Sequence, residues 1–249
     1  DAQIVRADTL RDPKFVDELG KLRTFDVVIA NPPFSLKEWG HENWATDPHR
    51  RSEYGGVPPK NQGDYAWVQH MLASASPNGG RVGVVMPHGV LFRSGAEAKI
   101  RQHLIESDLL EAVIGLPTNL FYGTSIPACL LILRKTKNAE TAGKVRIIDG
   151  SKRFVAGRAQ NSLSDQDVAA LFEAYTDAEV EIENVKQTVV DVSEIEANGW
   201  DLNIGRYIEQ DAAEIIDTAE ALKALRQAEQ NTAKAQAAMD QRLKAAGYA

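Results

Sequence analysis

Five short runs rich in Val, Ile and Leu alternate along the chain with segments of helical periodicity, and this alternation leaves few possible folds. The apolar runs cover residues 25–30, 81–86, 110–116, 128–133 and 145–149, with amphipathic segments at 65–74 and 96–106. Nearly continuous apolar runs are typical of strands that are covered on both faces. The pattern therefore predicts an open, mostly parallel α/β sheet.

The tetrapeptide Asn31-Pro32-Pro33-Phe34 directly follows the first of these runs. Ligands of open α/β sheets bind beyond the carboxyl ends of the strands, so the motif stands where a site is expected. The Asn31 side-chain oxygen and the Pro32 carbonyl oxygen are two acceptors that can grip both N–H groups of an exocyclic amine. This grip draws the nitrogen toward tetrahedral geometry and localises its lone pair. The alternative is an ordinary turn after a strand.

The residue types in this motif suit a reaction on a heteroaromatic base. The prolines make the stretch rigid and supply no competing N–H group, and Phe34 offers a flat apolar face for stacking. In-line methyl transfer depends mostly on positioning, and an amine inside a duplex is inaccessible until its base flips out. A long segment without clear periodicity follows at 35–63, and such segments are usually functional or disordered.

Composition narrows the class of protein. With 43% hydrophobic and 25% charged residues, the chain of 249 residues resembles ordinary soluble globular proteins, and no membrane span or signal peptide is predicted. A single cysteine, Cys129, excludes an internal disulfide framework and favours the cytoplasm. The five histidines show no ligand spacing, so no metal site is predicted.

Charge is distributed unevenly along the chain, whose net charge is −7. Residues 1–160 hold 21 basic and 17 acidic side chains, residues 161–208 hold 2 and 11, and residues 209–249 hold 5 and 7. Nucleic acid, if bound, is therefore expected to meet the first 160 residues. Arg50, Arg51 and Lys60 are candidate DNA contacts, although solvated loop charges are an equally good interpretation.

Longer strings extend well beyond the tetrapeptide: FDVVIANPPFS at 25–35, DYAWVQHML at 64–72, VMPHGVLFR at 85–93, GLPTNLFYGTSIP at 115–127 and NIGRYI at 203–208. Together they resemble the modification (M) subunit of type I restriction–modification systems, over residues 7–208. The tetrapeptide alone also matches methyltransferases of RNA adenine or of protein glutamine. The resemblance implies a Rossmann-like α/β fold that transfers a methyl group from S-adenosylmethionine to N6 of a flipped-out adenine in DNA.

The same resemblance implies roles for four further residues. Asp8 resembles the acidic residue that contacts the adenine of the cofactor, and Trp67 resembles an apolar residue that lies against the cofactor. Phe121, or alternatively Tyr122, resembles the second aromatic residue that packs on the target base, opposite Phe34. A strand-end carboxylate for Asp8, and core packing for Trp67 and Phe121, remain the simpler alternatives.

The chain departs from the family pattern at the cofactor site. A Gly-rich turn after the first strand and an acidic residue after the second strand are expected upstream of Asp8, and no Gly-x-Gly sequence occurs. The chain also starts close to a strand-like run at residues 3–7, as a cut end would. We therefore expect a C-terminal part of the M subunit whose first strands are missing, and which is poorly stable or inactive alone. A non-catalytic binding module is the rival interpretation.

Three segments are expected. Residues 1–160 are the C-terminal part of the catalytic domain, residues 161–208 are an acidic α/β completion of it, and residues 209–249 are a helical tail. The tail has apolar residues at spacings of three and four, as in one long helix or a helical hairpin. By resemblance, the partners are DNA, a specificity subunit, a restriction subunit and a second M subunit, and the tail is expected to dock on the specificity subunit.

Overall fold

One mixed sheet of six strands organises the first 208 residues. The computed structural model describes residues 2–122, 124–209 and 218–248. The strands are β1 (Val27–Ala30), β2 (Arg81–Pro87), β3 (Leu110–Gly115), β4 (Ala128–Arg134), β5 (Lys144–Asp149) and β6 (Lys186–Asp191), in the spatial order β1-β2-β4-β3-β5-β6. The α/β class is confirmed, and the five predicted strands are β1 to β5.

The sheet is less parallel than the sequence predicts. β1 pairs with β2 and β3 pairs with β5 in parallel, whereas β4 runs antiparallel to β2 and β3, and β6 runs antiparallel to β5. Parallel neighbours need a long crossover, usually through a helix. The link from β3 to β4, residues 116–127, contains no helix in its described residues, so the chain returns in the opposite direction.

Helices cover the sheet and connect its strands. They are α1 (Asp64–Ala73), α2 (Ala96–Glu106), α3 (Asp165–Thr176) and α4 (Val192–Ala197), with 3-10 turns at His41–Thr46, Arg51–Glu53, His88–Leu91 and Ile204–Arg206. α3 begins after Ser164, whose hydroxyl accepts the Asp167 N–H group in a capping box. The main core packs α1, α2 and α4 against the sheet.

The strand-like run at residues 3–7 forms no strand in the structure, and its residues are exposed. Its β-branched residues Ile4 and Val5 resemble part of a strand, but the sequence pattern alone supplies no partner strand. Among the described residues, β1 therefore forms one edge of the sheet, and its Val27 and Ile29 side chains are 62% and 79% exposed. An apolar edge of this kind is a surface that proteins normally cover.

The long segment after the motif is ordered by buried tryptophans. The Trp39 and Trp44 rings meet edge to face with centroids 5.0 Å apart, and both side chains are buried. The Trp44 indole N–H donates to Gln69 Oε1 of α1 at 2.7 Å, and the Gln69 amide donates to the carbonyl oxygens of Tyr54 and Gly56. The segment is thus fastened to α1 at several points.

A separate unit spans Glu209–Ala249. Its described helix, α5, runs from Thr218 to Ala245, within the tail that the sequence predicts to be helical. The part of that prediction at residues 210–217 lies outside the described residues. No helix in the described parts of the chain is long and apolar enough to cross a membrane.

Candidate active site

The carboxyl ends of the parallel strands meet at one edge of the sheet, and the tetrapeptide lies there. Ala30 is paired with Val84, and Gly115 is paired with Asp149. Asn31 is exposed, whereas Pro32 is buried and Phe34 is partly buried. Within the described residues, neither the Asn31 side chain nor the Pro32 carbonyl oxygen has a hydrogen-bond partner. Both acceptors are therefore unpaired within the described part of the protein.

Two of the predicted aromatic residues meet beside these acceptors. The Phe34 and Phe121 rings lie edge to face, with centroids 6.1 Å apart and an interplanar angle of 73°. Both rings pack on a core cluster that includes Ile114, Ile148 and Leu171. Tyr122 lies next to them in the chain and is 94% exposed. Phe121 is thus in contact with the motif, and Tyr122 is free to meet a ligand; Gly123 lies outside the described residues.

The segment around Gln160 and Asn161, which no sequence motif singles out, supports the loop that carries Phe121. The side-chain amide of Asn161 donates to the Thr118 carbonyl oxygen at 3.0 Å, and the amide of Gln160 donates to that of Leu120 at 2.5 Å. The Asn161 backbone N–H also donates to the carbonyl oxygen of Asn119, whose φ is 56°. These bonds connect positions some 40 residues apart, so no local pattern reveals them.

His88 joins the same edge from the end of β2. Its Nε2 lies 3.0 Å from the Ala128 carbonyl oxygen, and its backbone N–H donates to that of Pro127. Burial lowers the pKa of the His88 imidazole, and this effect outweighs the carbonyl contact. Neutral His88 with its proton on Nε2 therefore holds the chain where the Phe121 loop enters β4.

A cavity of about 370 Å³ follows β1 toward the motif, and Trp67, the predicted cofactor neighbour, lines it. Its walls are mostly apolar and include Val28 and Ala30 of β1 and Met71 of α1. Trp67 Nε1 is buried without a hydrogen-bond partner in the described part of the chain. A buried, unpaired donor is costly, and such groups are found more often at functional sites than in an ordinary core. These features fit an adenosine-type cofactor.

Asp8 makes contacts within its own turn. Its Oδ1 accepts the backbone N–H groups of Leu10 and Arg11, and its Oδ2 pairs with the Arg11 guanidinium at 3.1 Å. Desolvation would raise the pKa of the Asp8 carboxyl, but the hydrogen bonds from Arg11 outweigh it and the pKa falls. The flanking Ala7 and Thr9 line the cavity. A cofactor contact by Asp8 itself stays a prediction.

The three candidate DNA contacts fall into two groups. Arg50 and Lys60 are exposed, and Arg50 pairs with Glu53 at 2.6 Å. Arg51 is only 2% exposed, and its guanidinium is paired with Asp47. A phosphate contact is therefore wrong for Arg51 in this conformation, because its charge is already neutralised inside the protein. Arg50 and Lys60 remain predictions.

Comparison with known proteins identifies the family. The N-6 DNA Methylase family matches residues 1–215. The MjaVII methylase subunit of a type I restriction enzyme from Methanocaldococcus jannaschii is 37% identical over 214 residues, which cover 83% of this chain and 35% of that protein. The HindI methylase subunit from Haemophilus influenzae is 32% identical over 81% of this chain and 44% of that protein. The chain belongs to the N-6 DNA methylase family.

A solved structure extends the comparison to three dimensions. The type I restriction–modification methyltransferase subunit from Streptococcus thermophilus superposes with a TM-score of 0.72 at 36% identity, over 82% of this chain and 42% of that subunit. The resemblance to type I M subunits and the Rossmann-like methyltransferase fold are thereby confirmed. This member of the N-6 DNA methylase family spans less than half the length of each of these three relatives.

Proposed function

We propose that this chain carries the adenine-binding half of a type I DNA methyltransferase, which methylates N6 of a flipped-out adenine. The observation that carries the proposal is the pair of free acceptors, Asn31 Oδ1 and the Pro32 carbonyl, beside the Phe34–Phe121 pair. Two acceptors hold the two N–H groups of one amine, and the aromatic rings hold the base to which the amine is attached. Membership of the N-6 DNA methylase family supports adenine as the base.

The residues of the motif have complementary tasks in this proposal. S-adenosylmethionine, when bound, supplies an electrophilic methyl group. Asn31 and Pro32 hold the two hydrogens of N6 and so orient its lone pair toward the methyl group that the cofactor would supply. The extra proton on N6 then leaves to solvent. Buried Pro32 fixes the acceptors in place, which is the main contribution that a protein makes to an in-line transfer.

The cavity beside β1 is the proposed cofactor site. It reaches Ala30, the residue that precedes Asn31, and so connects the cofactor to the amine. Trp67 lines this cavity and has a buried indole N–H without a partner among the described residues, and Asp8 is adjacent in sequence to two of the lining residues. In the assembled enzyme, further strands are proposed to pack on the exposed Val27 and Ile29 edge of β1.

The proposed partners follow from the family. DNA, a specificity subunit, a restriction subunit and a second M subunit are the components of a type I complex, and cytoplasmic DNA is the substrate. Arg50 and Lys60 are the proposed phosphate contacts, and the Glu209–Ala249 unit is the proposed docking element for the specificity subunit. Removing residues 209–249 should prevent assembly with that subunit in size-exclusion chromatography; full assembly would contradict the docking role.

The proposal is tested with the natural protein, labelled S-adenosylmethionine and DNA, with and without the specificity subunit. Asn31→Ala should lower the methylation rate about 100-fold or more, because one of two groups that stabilise the transition state is lost. Asn43→Ala, at an exposed asparagine in the 3-10 turn His41–Thr46, is the matched control. Incorporation of the labelled methyl group into RNA or into protein glutamine would show that DNA is not the substrate. Binding of DNA and cofactor without methyl transfer would support a non-catalytic module.

A further inference from the structure

The residue after the motif adopts a backbone conformation that it does not favour. Ser35 has a φ of 52°, in the left-handed region, where a β-carbon approaches the following carbonyl oxygen. Ser35 is exposed, so side-chain burial does not hold it there. A non-glycine residue at positive φ next to a site persists only where its surroundings hold it.

Asp64, the first residue of α1, provides that hold. Its Oδ1 accepts the Ser35 backbone N–H at 2.7 Å, and its side chain is only 1% exposed. A second bond lies beside it, because the Gly63 N–H donates to the Leu36 carbonyl oxygen at 2.9 Å. The turn that ends the tetrapeptide is thus fastened to the start of α1 by two neighbouring hydrogen bonds.

A buried ion network in turn fixes the Asp64 carboxylate. Its Oδ2 lies 2.5 Å from Arg93 Nη2, and Arg93 also binds both oxygens of Glu97 at 2.5 and 3.0 Å. Arg101 donates to the carbonyl oxygens of Val90 and Arg93, which holds the backbone of Arg93. Hydrogen-bonded charges in a buried network have little freedom to move.

We propose that Asp64 is a positioning residue for methyl transfer, acting through the Ser35 N–H to set the direction of Phe34 and the Asn31–Pro32 acceptors. The proposal rests on the proposed function. A residue that only stabilises the fold could have the same network. Substitution of a positioning residue differs in its effect, because it lowers the rate of the chemical step while the affinities for cofactor and DNA stay nearly constant.

The test compares variants of the natural protein in its DNA-binding complex, by single-turnover methylation and by equilibrium binding. Asp64→Ala should lower the methyl-transfer rate about 100-fold, the scale of a small misplacement of reacting groups. Dissociation constants for S-adenosylmethionine and DNA should change less than about threefold, since the affinity groups stay in place. Asp64→Asn keeps one acceptor, for Ser35, but turns an amide NH2 group toward the Arg93 guanidinium, so its rate should lie between those of the parent and of Asp64→Ala.

Two substitutions at exposed Ser35 test the same contact while every side chain of the Asp64–Arg93–Glu97 network is kept. Ser35→Pro removes the N–H and forces φ to about −65°, so it should lower the rate about 100-fold. Ser35→Gly, which tolerates positive φ, should recover about tenfold of the rate when it is combined with Asp64→Ala. Glu111→Ala, which breaks an ion pair with Arg134 at the opposite end of the sheet, is the control and should leave the rate unchanged.

Hydrogen exchange provides a readout that does not depend on activity. Pro32 and Pro33 have no amide hydrogen, so exchange within residues 32–36 reports on Phe34, Ser35 and Leu36 alone. Asp64→Ala should speed exchange there, and Glu111→Ala should not.

The proposal is overturned if Ser35→Pro keeps the parent rate, if exchange is unchanged in Asp64→Ala, or if cofactor affinity falls in parallel with the rate. A parent complex that transfers no methyl group contradicts the proposed function as well; an active parent with unaffected variants contradicts only the role of Asp64.

Discussion

Arg50 and Arg51 are adjacent in sequence, yet the structure gives them opposite roles, and replacing each in turn separates the two. Arg51 forms a fork with Asp47, with Nε–Oδ2 and Nη2–Oδ1 distances of 2.8 Å, and the two side chains are 3% and 4% exposed. Its Nη2 also donates to the Leu10 carbonyl oxygen at 2.9 Å, and the guanidinium lies 4.1 Å from the centroid of the Trp44 ring. Arg51 thereby fastens the long loop to the start of the chain.

Arg51→Met leaves the Asp47 carboxylate buried without its partner. Losing one member of a buried ion pair costs about 3–5 kcal/mol of unfolding free energy, because the remaining charge stays desolvated. Desolvation already acts to raise the pKa of Asp47, and the Arg51 hydrogen bonds reverse it. The variant should therefore also raise the pKa of Asp47. Arg50→Met breaks only an exposed pair, whose side chains are 76% and 57% exposed, and should cost about 0–1 kcal/mol.

Urea unfolding of both variants measures these differences directly. The DNA assay gives the complementary result, because a lost phosphate contact reduces the slope of log affinity against log salt by about one. Arg50→Met should reduce that slope, and Arg51→Met should leave it unchanged in the fraction that remains folded. An Arg51→Met protein as stable as Arg50→Met, or one with a reduced salt slope and parent stability, would refute the buried role of Arg51.

The remaining predictions concern acid stability and loop packing. Burial, followed by the Arg51 charge, lowers the pKa of His70 to about 4 from 6.5, so the unfolded chain takes up the proton first as pH falls. The stabilisation by neutral His70 is complete above pH 6.5 and lost toward pH 4; His70→Gln should reduce the loss of unfolding free energy between pH 7 and 4.5 by about 2–3 kcal/mol, measured in urea. Gly55→Ala would place a β-carbon 2.7 Å from the Ile100 Cα atom, whereas Gly56→Ala meets nothing within 4 Å, and both have positive φ. Gly56→Ala should cost about 1–2 kcal/mol and Gly55→Ala at least about 1 kcal/mol more; equal thermal shifts would contradict the close approach.

Four of the five strands that the sequence predicts, β2 to β5, are largely buried, whereas β1 is predicted from its apolar run although Val27 and Ile29 are largely exposed. β2 and β4 contribute several fully buried residues, such as Val84 and Leu133, so their apolar runs are nearly continuous. β6 was missed because most of its residues are exposed or partly buried, and its polar first half resembles a loop. The run at residues 3–7 shows the opposite error, because its sequence resembles a strand but it pairs with none of the described residues.

In the candidate site, too, the sequence predicts local features but not contacts between distant side chains. The tetrapeptide was found because its chemistry is contained in consecutive residues. The burial of Arg51 depends on Asp47 and Trp44, and the hold on Ser35 depends on Asp64, which is 29 positions away. The residue type at position 51 does not show whether its guanidinium is buried or exposed. Contacts between distant segments are therefore the part that only the fold reveals.

The two sides of the proposed reaction are built differently, and substitutions on each side should have different effects. The amine side rests on one short turn, held by Asp64 and lying against Phe121, so damage there should appear in the rate constant for methyl transfer. The cofactor side is a cavity along β1, whose Val27 and Ile29 edge is largely exposed. Since the walls of that cavity depend on what packs against this edge, damage to β1 should appear in cofactor affinity and in assembly. A change at the β1 edge that slowed methyl transfer at saturating cofactor, with assembly intact, would contradict this division.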